Sequence, residues 1–84
     1  MDPETILAGI VQITHDVAGV DPARVRPEAS FVADLGVDSL CLAEIALTCL
    51  ERFDVDVPDE EIFSVATVGQ AVAVIAAHAP ASTS

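Results

Sequence analysis

Apolar residues recur every three or four positions in three separate segments of this sequence, and this spacing places side chains on one face of an α-helix. In the first segment, Asp2 is placed to cap the helix, Pro3 suits the first helical position and Glu4 lies in the first turn. Gly19 is typical of a helix end. The apolar face of this first predicted helix consists of Ile6, Ile10, Ile13 and Val17.

The second segment predicts a helix at about residues 39–53, with Glu44 and Glu51 on the face that meets solvent. Cys41 and Cys49 on this helix would be about 12 Å apart along its axis at 1.5 Å per residue, so they cannot form a disulfide with each other. We expect both to be free thiols. The apolar arc of this helix is broad and consists of Leu40, Ala43, Ile45, Ala46, Leu47, Cys49, Leu50 and Phe53.

Two shorter helices follow. Pro58 precedes a short predicted helix at residues 59–64. Thr67 and Gln70 form a capping box, which predicts a fourth helix that extends to about His78. The side chains expected to face inward from this helix are Val68, Val72 and Ile75.

Residues 20–38 contain Pro22 and Pro27 and are too long for a passive connector in so small a domain. We expect a short helical turn around "DPARV" and contacts with the core from Val25, Phe31, Val32 and Leu35. With 84 residues the chain makes one domain. We therefore predict an all-α four-helix bundle with a short third helix and a long loop between helices one and two, at residues 1–79, followed by a disordered tail at residues 80–84.

The charge balance is strongly acidic: 14 acidic residues stand against three arginines, and the formal net charge is −11. Nucleic acids and anionic membrane surfaces are unsuitable ligands, because both attract cationic proteins. The N-terminal stretch "MDPETILAG" has no cationic region before an apolar run, and the apolar run "AVAVIAA" is too short to cross a bilayer. We expect a soluble cytoplasmic monomer whose partners carry basic patches.

Ser39 stands at the start of the second predicted helix, and three roles suit a serine there. A nucleophile needs a general base and an oxyanion hole, but the histidines, His15 and His78, belong to other helices, so we predict no catalytic residue. A second role is that Ser39, or Asp38 beside it, caps the helix. The third is modification: a helix N-terminus tolerates a phosphate ester, and Gly36 lets a modifying enzyme approach closely.

The acidic residues do not form a recognisable metal site. A calcium-binding loop starting at Asp54 would need an oxygen ligand, a glycine and a glutamate where this sequence has Pro58, Asp59 and Val65. We predict no metal ligand. Residues 34–61 nevertheless hold nine acids against only Arg52, an imbalance that an ordinary solvated surface rarely reaches; the nine are Asp34, Asp38, Glu44, Glu51, Asp54, Asp56, Asp59, Glu60 and Glu61.

Three stretches together carry a family resemblance: "FVADLGVDSLCLAEI", "FDVDVPDEEI" and "TVGQAV". The chain resembles the acyl carrier proteins of dissociated fatty-acid synthesis systems, from helix one to helix four. In that family the serine of a D-S-L motif is joined to 4′-phosphopantetheine through a phosphodiester. D-S-L alone is a weak signal, and the combination with "DLG" and "VPDEEI" makes it specific.

The resemblance implies that Ser39 is the attachment point, with Asp38 as its acidic neighbour, and that the chain is a carrier rather than an enzyme. The arm would carry acyl groups as thioesters and present them to fatty-acid synthesis enzymes. The implied partners are a phosphopantetheinyl transferase and acyltransferases, ketosynthases, reductases and dehydratases with basic docking patches. The residues implied to contact them are Asp38, Glu44, Leu47, Glu51, Asp56, Val57, Glu60 and Glu61.

Two positions depart from the family pattern. Cys41 and Leu50 stand where fatty-acid members commonly have acidic or polar residues, which makes the partner-facing surface more apolar. Two alternatives remain at this point. The chain could be a polyketide or peptidyl carrier, or it could be an acidic interaction module in which Ser39 is only a helix cap.

Overall fold

The computed structural model describes residues 2–78, and the regular secondary structure in this part of the chain is helical apart from one isolated bridge between Ser30 and Thr67. The all-α prediction is confirmed. The predicted tail at residues 80–84 lies outside the described residues, as does position 79. Between residues 2 and 78 no helix is both long and apolar enough to cross a membrane. The elements are α1 (Pro3–Ala18), a 3-10 turn (Pro22–Arg24), α2 (Ser39–Phe53), α3 (Asp59–Phe63) and α4 (Val68–His78).

Helix α1 begins and ends at the residues that the sequence predicts. The Asp2 carboxylate accepts a hydrogen bond from the backbone N–H of Glu4 at 3.3 Å, and Pro3 is the first helical residue. Gly19 adopts φ 72°, and its N–H donates to the carbonyl of His15 at 2.9 Å. A positive φ is costly for residues with a side chain, so glycine ends this helix cleanly.

The predicted capping box at the start of α4 is also confirmed. The side-chain oxygen of Gln70 accepts from the backbone N–H groups of Ala66 at 2.7 Å and Thr67 at 3.2 Å, and the Thr67 hydroxyl accepts from the N–H of Gln70 at 3.2 Å. Helix α3 has no such side-chain cap; it follows Pro58 and is five residues long. The start of α3 therefore lacks the side-chain hydrogen bonds that stabilise the starts of α1 and α4.

Helix α1 is the centre of the packing, because α2 and α4 both contact it closely. Its inward side chains, Ile6, Ile10 and Ile13, are at most 1% exposed. The core is aliphatic except for two phenylalanines. The main residues that complete it are Val25, Phe31, Leu35, Val37, Ile45, Cys49, Phe53, Val55, Val57, Ile62, Val65, Val68, Ala71 and Ile75.

The long loop packs on the bundle through three of its four predicted anchors, Val25, Phe31 and Leu35. The prediction for Val32 is wrong, since its side chain is 62% exposed. Residues 31–35 form a compact turn in which the N–H of Leu35 donates to the carbonyl of Ser30 at 3.0 Å. In such a turn Phe31 and Leu35 share one side, and Val32 faces the other way.

The broad apolar arc of α2 divides into a buried and an exposed part. Ile45 and Cys49 are 2% and 3% exposed and face the core, whereas Leu40 and Leu47 are 74% and 59% exposed. Leu40 and Leu47 are two turns apart and share a solvent-facing side of the helix. Spacing alone did not separate these two sets, because apolar residues occur on both sides.

A glycine in α1 allows α1 and α2 to approach each other. A Cβ atom added to Gly9 would lie 2.3 Å from Cζ of Phe53, at the end of α2. Atoms cannot approach so closely without a shift of the ring or of the helices. The aromatic ring therefore occupies the space that a side chain at position 9 would fill.

Helix α2 begins with Asp38 as its cap. The Asp38 carboxylate accepts a hydrogen bond from the backbone N–H of Cys41 at 2.8 Å. This bond is the main reason that the pKa of Asp38 lies below its ordinary value of 3.8. The ionised carboxylate also lies at the positive end of the helix dipole, where a negative charge is favourable.

We predict that Ile45→Ala and Leu47→Ala will have very different effects on stability, although both shorten a four-carbon side chain of α2 to a methyl group. Ile45 is buried, so its truncation should lower the free energy of unfolding by about 2–4 kcal/mol. Leu47 is exposed, and its truncation should change it by less than about 0.5 kcal/mol. Urea unfolding followed by circular dichroism measures both. Equal losses would contradict the orientation of α2.

We predict a pH-dependent role for the Asp38 cap. Its pKa is lower in the folded than in the unfolded chain, so the charge on Asp38 stabilises the fold above the unfolded pKa, and this contribution is lost as pH falls through the folded pKa. The Asp38→Asn variant keeps an oxygen acceptor without the charge. Its melting temperature should lie below that of the wild type at neutral pH, and the gap should close in acid.

Thermal unfolding of both proteins between neutral pH and about pH 3 measures this gap. The other acidic residues titrate in both proteins, so the difference isolates Asp38. A gap that stays constant over this range would show that the charge of Asp38 does not act on the helix.

Candidate functional site

Ser39 is exposed at the first turn of α2, and the residues before it fix it there. Gly36 adopts φ 68° and turns the chain. Val37 is 2% exposed, and its N–H donates to the carbonyl of Phe31 at 2.8 Å. Because Val37 is held in the core and Asp38 caps the helix, the next side chain, that of Ser39, projects from the surface.

The hydroxyl of Ser39 makes no hydrogen bond to any residue between 2 and 78, whereas Asp38 makes the capping bond. Of the two caps that the sequence allowed, the one made by Asp38 is confirmed, and Ser39 is not the cap. The carboxylate of the preceding residue reaches the free N–H of Cys41, and Ser39 itself is already the first helical residue. Its Oγ is therefore exposed and is not engaged in a hydrogen bond with the described residues.

The two histidines contact other parts of the molecule. Nδ1 of His15 lies 3.1 Å from the carbonyl of Val20, just beyond the end of α1. Nε2 of His78 lies 3.1 Å from both carboxylate oxygens of Glu61. Both contacts are made away from Ser39, so neither histidine is positioned as its general base.

The surface beside Gly36 is open. A Cβ atom added to Gly36 would have no heavy atom within 4 Å, apart from its chain neighbours. A larger residue would therefore fit in space but would be strained by the positive φ. The requirement for glycine here comes from the backbone turn that delivers Ser39 to the surface.

The two cysteines are free thiols, as the sequence predicts. Partial burial and the nearby Asp38 carboxylate raise the pKa of the half-buried Cys41 thiol above its ordinary value. Burial raises the pKa of Cys49 to about 12, against a smaller opposing effect of Arg52. Both thiols are therefore protonated at neutral pH and are poor nucleophiles.

Most of the predicted docking residues are exposed, and those in the middle of α2 share one side of the helix. Glu44, Leu47 and Glu51 are spaced by three and four residues, so they lie on one side of α2, and all three are exposed. Asp56, in the connection to α3, and Glu60, on α3, are exposed as well. We call this set, Asp38, Glu44, Leu47, Glu51, Asp56 and Glu60, the acidic surface.

Two of the predicted docking residues differ from expectation. Val57 is 4% exposed, so its placement on the contact surface is wrong. Residues 55–57 alternate, with Val55 and Val57 inside and Asp56 outside. Glu61 is exposed, but its carboxylate lies 3.1 Å from Nε2 of His78, a contact between α3 and α4 that the sequence did not reveal.

The core contains a small apolar cavity of about 20 Å³ between the helices. Leu42 and Ala46 of α2, Ile62 and Val65 near α3, and Ile75 of α4 form much of its wall. A cavity of this size has room for about one water molecule, but a wall without polar groups leaves it dry. Over residues 2–78 the structure contains no cluster of three or more His, Cys, Asp or Glu side chains that could hold a metal ion.

Comparison with known proteins agrees with this arrangement. The family model described as "Phosphopantetheine attachment site" matches residues 8–75. The acyl carrier protein of Rubrobacter xylanophilus is 46% identical over 78 residues, which cover 93% of this chain and 96% of that protein. The acyl carrier protein of Acidothermus cellulolyticus is 43% identical over 76 residues, which cover 90% of each chain.

The meromycolate extension acyl carrier protein of Mycobacterium tuberculosis is 44% identical over 72 residues, which cover 86% of this chain. The match spans only 63% of the length of that protein. Members of the matched family are carriers rather than enzymes, and their prosthetic group is covalently attached 4′-phosphopantetheine. From the length of the family match and the identity to these relatives, the chain belongs to the acyl carrier protein family.

Proposed function

We propose that Ser39 is the residue to which 4′-phosphopantetheine is esterified and that the protein carries acyl groups on this arm. The observation that carries the proposal is the free, exposed Oγ of Ser39 beside a cap made by Asp38. A phosphodiester on Ser39 is also compatible with the positive end of α2. When attached, the arm supplies a thiol that holds an acyl group as a thioester.

The residues around Ser39 suit a protein that is modified by another enzyme. The wide-open surface at Gly36 leaves room for an enzyme to reach Oγ. His15 contacts Val20 and His78 contacts Glu61, and neither hydrogen-bonds to Ser39, so the transferase must supply the base. The protein then contributes a fixed, solvent-exposed hydroxyl, and its own stability does not depend on that group.

We propose that the acidic surface docks the transferase and the acyl-processing enzymes through their basic patches. Glu44 and Glu51 lie three and four residues from Leu47 on the same side of α2, so carboxylates flank its exposed side chain, which offers an apolar centre for contact. A net charge of −11 would speed the encounter with a basic partner, in a salt-dependent manner. Glu61 would contact a partner only where a cationic side chain of that partner displaces His78 from the Glu61 carboxylate.

We propose fatty-acyl groups as the cargo. The relatives from Rubrobacter and Acidothermus are named acyl carrier proteins, and those from mycobacteria are named for meromycolate extension, which makes extension of long acyl chains the second candidate. Identities of 43–46% to these relatives do not separate the two. The free thiols of Cys41 and Cys49 agree with a reducing, cytoplasmic setting.

We predict that incubation with coenzyme A and a phosphopantetheinyl transferase will increase the intact mass of the protein by one phosphopantetheine group. Ser39→Ala should abolish the increase and leave the melting temperature unchanged, because Asp38 makes the cap. Ser64→Ala is the control: Ser64 is exposed and its Oγ donates to the carbonyl of Glu61 at 2.8 Å. Ser64→Ala should gain the full mass.

Two results of this experiment would overturn the proposal. One is that the wild-type protein gains no mass, in which case Ser39 is not a substrate. The other is that Ser39→Ala gains mass as the wild type does, in which case another residue is modified.

We also propose that the apolar cavity receives the first part of a saturated acyl chain. Its volume of about 20 Å³ is too small for such a chain, so the bundle must expand on loading. We predict that methyl NMR signals of Ile45 and Ile75, which line the cavity, will shift progressively as the carried chain lengthens. Ile6 is fully buried but is not part of the wall, so its methyl signals should shift much less.

Spectra of the loaded protein with a series of chain lengths, compared with those of the unloaded arm-bearing protein, measure this. Equal, small shifts at all three isoleucines would mean that the chain stays outside the bundle.

A further inference from the structure

The long loop between α1 and α2 borders an open pocket of about 400 Å³. The first limb of the loop, residues 22–29, contributes Arg24, Arg26 and Glu28 to the wall of this pocket. The second limb, residues 33–37, contributes Asp34 and Leu35. The two limbs are therefore separated by open space along part of their length. The second limb leads directly to Ser39, so whatever holds it in place also holds the serine.

One hydrogen bond crosses this space. Nη2 of Arg24, at the end of the 3-10 turn, donates to the backbone carbonyl of Asp34. In the part of the chain that the structure describes, no other hydrogen bond joins residues 22–29 to residues 33–37. The long arginine side chain thus ties together two limbs that do not pack against each other here.

The carbonyl that Arg24 holds belongs to a rigid turn. The N–H of Asp34 donates to the carbonyl of Ser30 at 3.0 Å, and the Asp34 carboxylate accepts from the N–H of Ser30 at 2.7 Å. The hydroxyl of Ser30 accepts from the N–H of Ala33 at 3.1 Å. A turn bonded in this way moves as a unit. Contacts with the bundle, among them the hydrogen bond from the N–H of Phe31 to the carbonyl of Ala66 at 3.1 Å, fix one side of it, and Arg24 fixes the side at Asp34.

Only residues 36–38 lie between this turn, which ends at Leu35, and Ser39. Leu35 and Val37 are 7% and 2% exposed, and the N–H of Val37 donates to the carbonyl of Phe31 in the same turn. A displacement of the turn is therefore passed to Asp38 and Ser39 over a short, anchored path. Misplacement of a reacting group by as little as 1 Å can cost a large factor in rate.

We propose that Arg24 is a positioning residue for the modification of Ser39. It fixes the Asp34 side of the turn at residues 30–35 across the open pocket and so holds the hydroxyl where a transferase can use it. This inference rests on the proposed function of Ser39. It differs from a docking role, because Arg24 is a cation on a protein whose proposed partners present basic surfaces.

The experiment measures steady-state transfer of phosphopantetheine from coenzyme A to the full chain by a phosphopantetheinyl transferase, at a temperature at which every variant is folded. Arg24→Ala should lower kcat by about tenfold with little increase in KM, because the hydroxyl is misplaced while the docking surface is intact. Arg24→Lys keeps a long cationic donor and should recover part of the rate.

Arg26→Ala is the matched control. Arg26 lines the same pocket, carries the same charge and is 70% exposed, but its ion-pair partner, Glu28, belongs to its own limb. This variant should retain the wild-type kcat.

A second measurement does not depend on the transferase. The amide of Val37 should exchange faster in Arg24→Ala than in the wild type, whereas that of Gly19, at the end of α1, should not change.

The outcomes separate this inference from the proposal on which it rests. A wild-type protein that gains no phosphopantetheine would remove both. A wild-type protein that is modified, together with an Arg24→Ala variant that has the same kcat, would remove the positioning role alone. An equal loss in Arg24→Ala and Arg26→Ala would also overturn it, because the cause would then be net charge.

Discussion

The burial of one face of α1 is the constraint on which the rest of the structure depends. Helices α2 and α4 both pack on α1, and its isoleucines Ile6, Ile10 and Ile13 are almost completely removed from solvent. A core without tryptophan or tyrosine gains its stability from many aliphatic contacts, so close approach of the helices matters. Gly9 permits that approach by leaving room for the Phe53 ring.

The same packing explains why Ser39, at the surface, makes no contact on which the fold depends. Each requirement at the start of α2 is met by a different residue. Gly36 makes the turn, Val37 anchors the chain in the core and Asp38 satisfies the helix end. Ser39 can be altered chemically without loss of a contact within the described bundle, which is a property that a site of attachment needs.

Local chemistry in the sequence predicted the helices and their ends well. The caps at Asp2 and Gly19 and the capping box at Thr67 and Gln70 involve residues close together in the chain, so their physics is contained in short stretches. The position of Ser39 at a helix start is a local feature of the same kind, whereas its assignment as the attachment point came from the resemblance to the acyl carrier proteins. The distinction of Ser39 from the cap at Asp38 required the structure.

Features that depend on packing between distant segments were not predictable in this way. The exposure of Val32 depends on which side of the turn faces the bundle, and the spacing of apolar residues does not indicate that side. The burial of Val57 is an exception. Aspartate and valine alternate at residues 54–57, and this alternation indicates that the valines face the core. The contacts of Arg24 with Asp34 and of His78 with Glu61 join residues ten and seventeen positions apart, and neither leaves a pattern in the sequence.

The state of the two cysteines has a consequence for a protein that carries thioesters. A thiolate beside a thioester would capture the acyl group by exchange, and the cargo would be stranded on the polypeptide. Cys41 lies two residues beyond Ser39, but its raised pKa keeps it as the unreactive thiol, and Cys49 is buried with a pKa of about 12. A protonated thiol is a poor nucleophile, so neither cysteine favours transfer of the acyl group from the arm to the polypeptide.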